Sequence, residues 1–211
     1  MVYELDLQVG RIISALKAKG VYENTLIIFT SDNGGLTWKV PGTLASGHTP
    51  SGIYRGSKND PYEGGHRVPF IMSWANKKPA TIISNEPVLV QDILSTISAA
   101  SGNKLSVEQA PDSNNLLPLL FDNTAEFKSR EYLMLQGGSR NEIIYRQGDW
   151  KLIIQSDKTL SKFEPVALFN LTDNITEKEG DNLIYHPQHK KRVAELLGRY
   201  LDIRQTRVPT I

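Results

Sequence analysis

Asp32-Asn33-Gly34-Gly35 follows directly on a short apolar run, Leu26-Ile27-Ile28-Phe29. A carboxylate beside a side-chain carbonyl offers two hard oxygen donors, the kind that Ca²⁺ or Mg²⁺ takes. In open α/β sheets, ligands gather at the carboxyl ends of the strands, where this tetrapeptide would fall. The two glycines let the backbone turn tightly beside an ion. An Asx-turn that merely closes a strand has the same composition, so the tetrapeptide alone leaves both readings open.

A second cluster runs from Tyr54 to Pro69 and is dense in charge and glycine. Lys58 could place a compact ammonium on an oxyanion, with Asn59 and Asp60 as polar neighbours. Glu63 could pair with Arg67 or Arg55, which suits bracing of the adjacent strand better than catalysis. His48 lies on the loop approaching Lys58, and His66 sits between glycines and the strand, where packing or hydrogen bonding is expected of it. His186 and His189 flank Pro187 and are expected at the surface. Asn170-Leu171-Thr172 and Asn174-Ile175-Thr176 match glycosylation acceptors, a pattern too common to decide function.

These residues need elements to hold them. Leu5, Val9, Ile12, Ile13 and Leu16 recur at helical spacing, with Gly20 as a stop. The run 26–29 has the length and β-branched content of a buried strand. A helix feeding such a strand is half of an α/β unit with no earlier strand to complete it, so the chain is expected to lack an upstream part. Residues 30–59 read as a long loop of the functional kind. Val68 to Trp74 reads as a strand with Pro69 at its start, and Val88 to Ala100 as a helix ending before Gly102. Polar residues 103–115 read as a linker, dividing 1–102 from a small α+β part, 116–211. There, strands are expected at 132–135, 142–146, 150–155 and 166–170, with Gly137-Gly138, Gly148-Asp149 and Asp157 as turns. Such short connections imply an antiparallel sheet. A terminal helix from Gln188 to Leu201 would cover it with Val193, Leu196, Leu197, Tyr200 and Leu201.

Composition excludes several classes. The chain has 211 residues, 39% hydrophobic and 22% charged, which fits a globular protein with a real core. A net charge of +1 gives no basic field for nucleic acid. No apolar run approaches the roughly 20 residues of a membrane helix, and the first residues carry no leader-peptide pattern. The absence of Cys rules out disulfides and thiolate chemistry.

Taken together, Thr30-Ser31-Asp32-Asn33-Gly34-Gly35, Arg55-Gly56-Ser57-Lys58 and Glu63-Gly64-Gly65-His66-Arg67-Val68-Pro69-Phe70 are specific in order and spacing. They resemble the later half of the active-site region of the sulfatases, the arylsulfatase-like, formylglycine-dependent family of the alkaline-phosphatase superfamily. Gly148-Asp149-Trp150-Lys151-Leu152-Ile153 and Leu168-Phe169-Asn170-Leu171 resemble that family's small C-terminal subdomain. The implied fold class is α/β: the C-terminal part of a mixed sheet with flanking helices, then a small antiparallel sheet and a C-terminal helix.

The resemblance also implies roles. Asp32 and Asn33 would help hold Ca²⁺ beside a formylglycine nucleophile, and Lys58 would bind a sulfate oxygen and assist the leaving group. Segments like that around His48 occur in some sulfatases acting on carbohydrates. His48, Asn59 and Asp60 are therefore candidate contacts to a sulfated carbohydrate, or to an aryl sulfate ester.

The chain departs from the family at the nucleophile. It has no Cys, and no Ser begins an S-x-P-x-R segment; Ser51-Gly52-Ile53-Tyr54-Arg55 lacks the Pro. The expectation is therefore an inactive isolated chain that binds metal weakly and can self-associate through an uncovered sheet edge. Its parent would be periplasmic or secreted. Two alternatives stand beside this: a non-catalytic anion-binding remnant, and a phosphatase or phosphodiesterase of the same superfamily. Enzymes of the second kind favour Asp-His for zinc, and Asn33 argues against them.

Overall fold

The computed structural model describes residues 2–36, 42, 45–77, 83–106, 108–121, 124–137 and 141–207. Its helices are α1 (Val2–Ala18), α2 (Glu63–His66), α3 (Asp92–Ala100), α4 (Leu117–Leu120) and α5 (Lys190–Arg207). Its strands are β1 (Ile27–Thr30), β2 (Phe70–Ser73), β3 (Leu133–Gln136), β4 (Glu142–Gln147), β5 (Trp150–Ser156) and β6 (Phe163–Asn170). Parts of three expected features, residues 37–41 and 43–44 of the long loop, residue 107 of the linker and the turn residue Gly138, lie outside the described residues. The chain forms two compact units, Met1–Thr30 with Pro69–Ser129 and Ser31–Val68 with Arg130–Ile211.

In the first unit α1 ends as its sequence requires. Gly20 takes φ 68°, and the Val21 N–H reaches back to the Leu16 carbonyl at 3.1 Å. A left-handed residue at this place lets the chain cap the last turn, and glycine pays no Cβ penalty there. The amphipathic pattern is only partly used. Val9, Ile13 and Leu16 are half-buried, while Leu5 and Ile12 are exposed. β1 and β2 pair antiparallel, Ile27 opposite Ser73 and Thr30 opposite Phe70. Pro69 stands just before β2, where its missing N–H breaks no ladder bond.

α3 begins later than its apolar pattern suggests, at Asp92. The reason is a buried carboxylate that is spent on backbone: Asp92 accepts from the Leu89 N–H at 2.7 Å and the Asn114 N–H at 2.8 Å. Thr96 continues the arrangement by accepting from the Leu116 N–H at 3.0 Å. Ser113 bonds to both Ser95 and the Gln91 carbonyl. The last residues of the polar stretch 103–115 are thus pinned to α3 by side chains that sequence periodicity ignores.

The second unit is built on a sheet in the order β3-β4-β5-β6, antiparallel throughout. Pro165 is tolerated because β6 is an edge strand, and the register slips between Ile153 and Ile154 opposite it. Ile143, Tyr145, Leu152, Ile154 and Leu168 turn one face toward Leu196 and Tyr200 of α5. The other face carries Ile153, Ala167 and Phe169, with Leu171, Val166, Ile175 and Tyr62 against them. Both faces are covered, which explains the near-continuous apolar run in β5. Lys151 sits in that run beside Phe169 of β6 and is fully buried. Among the described residues no helix is long and apolar enough to cross a membrane.

Candidate functional site

The loops that carry the candidate residues pack backbone against backbone within the second unit. The Gly34 N–H donates to the Gly65 carbonyl at 3.0 Å, and the Lys58 N–H donates to the Gly35 carbonyl at 2.7 Å. The Gly64 N–H donates to the Arg55 carbonyl at 2.8 Å. Such approach leaves no room for side chains. A Cβ on Gly34 would collide with the Gly64 carbonyl oxygen and lie 2.7 Å from the Gly65 carbonyl carbon. The paired glycines of Asp-Asn-Gly-Gly and Glu-Gly-Gly therefore serve one purpose, the docking of two loops on each other. Gly34→Ala is expected to cost about 1–3 kcal/mol through this overpacking, read as a lower urea midpoint. A change under about 0.5 kcal/mol, the range of a neutral surface substitution, would show that the loops can separate freely.

Asp32 is exposed, and among the described residues its carboxylate has no protein partner. Asn33 spends its amide NH₂ on the Gly34 carbonyl at 2.8 Å, which leaves its side-chain oxygen free. The Lys58 ammonium is exposed and likewise unpaired among the described residues. Asn59 follows it at φ 76°, a left-handed value uncommon for a residue with a Cβ. Asp60 is committed to its own loop, where Oδ2 accepts from the Ser57 N–H at 2.9 Å and the Ser57 hydroxyl at 3.1 Å. His48 is exposed on the same unit, its N–H 3.4 Å from the Ser46 hydroxyl. Backbone bonds thus bring the 32–35 and 56–65 segments together.

Glu63 has the bracing role expected of it, with more partners than the sequence suggests. Its carboxylate meets His66 at 3.1 Å, Arg67 at 3.2 Å and the Lys151 ammonium at 3.0 Å. Lys151 also meets the Glu177 carboxylate at 2.7 Å. The second Glu177 carboxylate oxygen accepts from the Glu63 N–H. Burial alone would raise the Glu63 carboxyl, but the His66 hydrogen bond and the Lys151 charge outweigh it and hold the group well below the usual carboxylate range. Of the two arginines offered as its partner, Arg67 is the one found; Arg55 goes elsewhere, to the Glu177 carbonyl at 2.9 Å and Glu179 at 2.6 Å. Its guanidinium lies 3.7 Å over the Tyr62 ring, which meets Phe169 edge-on at 6.3 Å. Sequence reasoning missed Lys151 and Glu177. A lysine between Trp150 and Leu152 in a buried strand was a signal, because such a charge needs a counterion; nothing in the sequence marks Glu177.

These features define an α/β protein with a small antiparallel sheet, a C-terminal helix and a glycine-docked pair of loops. A family model described as Sulfatase matches residues 1–103. The chain is 32% identical to an N-acetylgalactosamine-6-O-sulfatase of Bacteroides thetaiotaomicron, over 93% of this chain and 40% of the relative. It is 35% identical to human arylsulfatase H over 78% of this chain and 29% of that protein. A solved structure from work on glycosaminoglycan metabolism by Bacteroides thetaiotaomicron matches with TM-score 0.73 and 33% identity, covering 96% of this chain and 43% of that one. Ps i-CgsB in complex with k-i-k-neocarrahexaose matches with TM-score 0.73 and 27% identity, covering 96% and 41%. The chain belongs to the sulfatase family and spans about two-fifths of the length of this bacterial relative.

Proposed function

We propose that this chain supplies the sulfate-binding lysine and part of the cation site of an enzyme that hydrolyses sulfate esters. The observation that carries the reading is the docked loop pair, which holds the Lys58 backbone on the residues following Asp32-Asn33 and leaves both functional ends unpaired among the described residues. An S–O bond that breaks places charge on the leaving and non-bridging oxygens. A fixed ammonium there stabilises the transition state more than the ground state. Lys58 has that role, binding a sulfate oxygen and the departing oxygen.

Asp32 and the Asn33 side-chain oxygen fit Ca²⁺ in chemistry, being free hard oxygens, and would form part of its usual set of six to eight. Ca²⁺ would supply charge stabilisation at the sulfate oxygens. The formylglycine nucleophile has no source residue in this chain, so the catalytic unit requires a C/S-x-P-x-R segment from outside it. Residues 1–102 are the later part of the large catalytic domain and 116–211 the small subdomain, joined by 103–115. The substrate is a sulfated carbohydrate, in line with the names of the relatives, and His48, Asn59 and the Asp60 carboxylate oxygen not held by Ser57 are the candidate contacts to its sugar portion.

Two assays test this. The purified chain should not hydrolyse a chromogenic aryl sulfate above buffer background. It should bind inorganic sulfate, more tightly with Ca²⁺ present, and Lys58→Ala should weaken that binding by about tenfold, the loss of a charge-assisted contact. Aryl sulfate turnover, or sulfate binding unaffected by Lys58→Ala, would sink the assignment.

A further inference from the structure

Glu177 combines three features that are each unfavourable. It is a fully buried carboxylate, it has a Cβ at φ 49°, and it sits in a loop after β6 with no helix or strand to hold it. Left-handed backbone at such a residue persists only where the surroundings over-determine it, and strain of this kind concentrates at functional sites. Two of its three oxygens hold the Arg55–Glu63 segment directly, and the third holds Lys151, which itself meets Glu63. One carboxylate oxygen meets Lys151, the other accepts from the Glu63 N–H, and the main-chain carbonyl accepts from Arg55. Glu63 and Arg55 are the two ends of the segment that contains Lys58.

A buried ion pair is a poor way to gain stability, since a packed apolar pair of equal volume commonly does as well or better. What the charges add is a unique registration. From Arg55 and Glu63 the constraint runs through backbone bonds: Arg55 carbonyl to Gly64, Gly65 carbonyl to Gly34, Gly35 carbonyl to Lys58. The Lys58 side chain has no protein partner among the described residues, so its placement rests on this backbone path.

We infer that Lys151 and Glu177 are positioning residues for Lys58, fixing the Arg55–Arg67 segment and with it the Asp32–Gly35 segment. The inference rests on the sulfate reading above, and it places two determinants of that site on the small sheet and the loop beyond it. Neither residue touches substrate; they act through Glu63 and Arg55.

The test uses the full chain by NMR, as wild type, Lys151→Met, Glu177→Gln and the charge-balanced double variant Glu63→Gln/Lys151→Met. Amide exchange is followed at Gly34, Lys58 and Gly64 and at the β4–β6 ladder. Binding of inorganic sulfate is followed at the Lys58 ε-methylene. The expected result is a loss of protection at the loop amides that exceeds any loss at the ladder by about tenfold or more, as for a local opening added to the drop in overall stability. A weaker sulfate affinity should accompany it in all three variants. Loop and ladder amides losing protection together in the double variant as well would make these residues merely structural and overturn the inference, and so would loop amides unchanged in the single variants. If the wild-type chain shows no Lys58-dependent sulfate response, the sulfate reading falls instead, and the amide pattern alone decides whether the two residues hold the loop.

Discussion

Lys151→Met is expected to destabilise the second unit by about 3–5 kcal/mol, the cost of breaking a buried pair by removing one partner. Methionine keeps most of the lysine stem, so little packing is lost. What is lost is the cation between the Glu63 and Glu177 carboxylates, at 3.0 and 2.7 Å. Both carboxylates are then buried without it, and the Glu177 group has no exposed side from which water could replace the ammonium. A loss of this size is a large fraction of the 5–15 kcal/mol that keeps an ordinary domain folded. Glu63→Gln in the same protein removes one of the opposed charges and should recover about half of the deficit, since coupled neighbours are not additive. The partly exposed Arg55–Glu179 pair provides the contrast. Glu179→Ala should cost about 1 kcal/mol or less, as exposed pairs do. Urea unfolding of the four proteins checks the series. A Lys151→Met midpoint shifted no further than that of Glu179→Ala would show that the buried ammonium contributes nothing.

The reach of the sequence can be judged from the same residues. Strands β1 and β4–β6 were legible because apolar runs bounded by glycine and aspartate are set by local chemistry. The end of α1 was legible because Gly20 is the residue that a left-handed cap demands. The two glycine pairs also stood out, since close backbone approach excludes every other residue. Asp92 was not legible. It fell inside an apolar-periodic stretch, and its bonds to residues 89 and 114 depend on where the chain returns. Of the two partners offered for Glu63, Arg67 is found there and Arg55 is not, for a similar reason. Sequence proximity favoured Glu63, while the fold brings in residues 177 and 179 from more than a hundred positions away. Lys151 lay between these cases. Its type and place announced a buried charge without naming what would neutralise it. The candidate ligands were readable as types, but the order of docked loops that seats them is a tertiary property.

Acid should unfold the protein through Glu63 more than through any exposed carboxylate. The folded Glu63 carboxyl titrates below its ordinary 4.5, because His66 and Lys151 oppose and exceed the effect of burial. Arg67 completes the surroundings of the carboxylate, and Glu177, whose own carboxylate accepts from the Glu63 N–H, is the like charge beside it. A carboxyl depressed on folding binds fewer protons in the native state than in the unfolded one. Its stabilisation is therefore fully present above the unfolded value and lost as pH falls through the folded value. The window opens below about 4.5, the ordinary Glu value, and extends downward from there. Asp157 is also held low, by the Ser161 and Thr159 hydroxyls first, but it is partly exposed and those partners are local to its turn. Urea midpoints measured from pH 7 down to pH 3 should thus fall steeply below about pH 4.5 in the wild type. Glu63→Gln should start lower at pH 7 yet decline less, so that the two curves converge in acid. Asp157→Asn should run parallel to the wild type over most of that range. Curves for wild type and Glu63→Gln that stay parallel from pH 7 to pH 3 would mean that the buried carboxylate carries no folding-linked proton. The ionic ties between the sheet and the Lys58 loop would then not be what acid breaks.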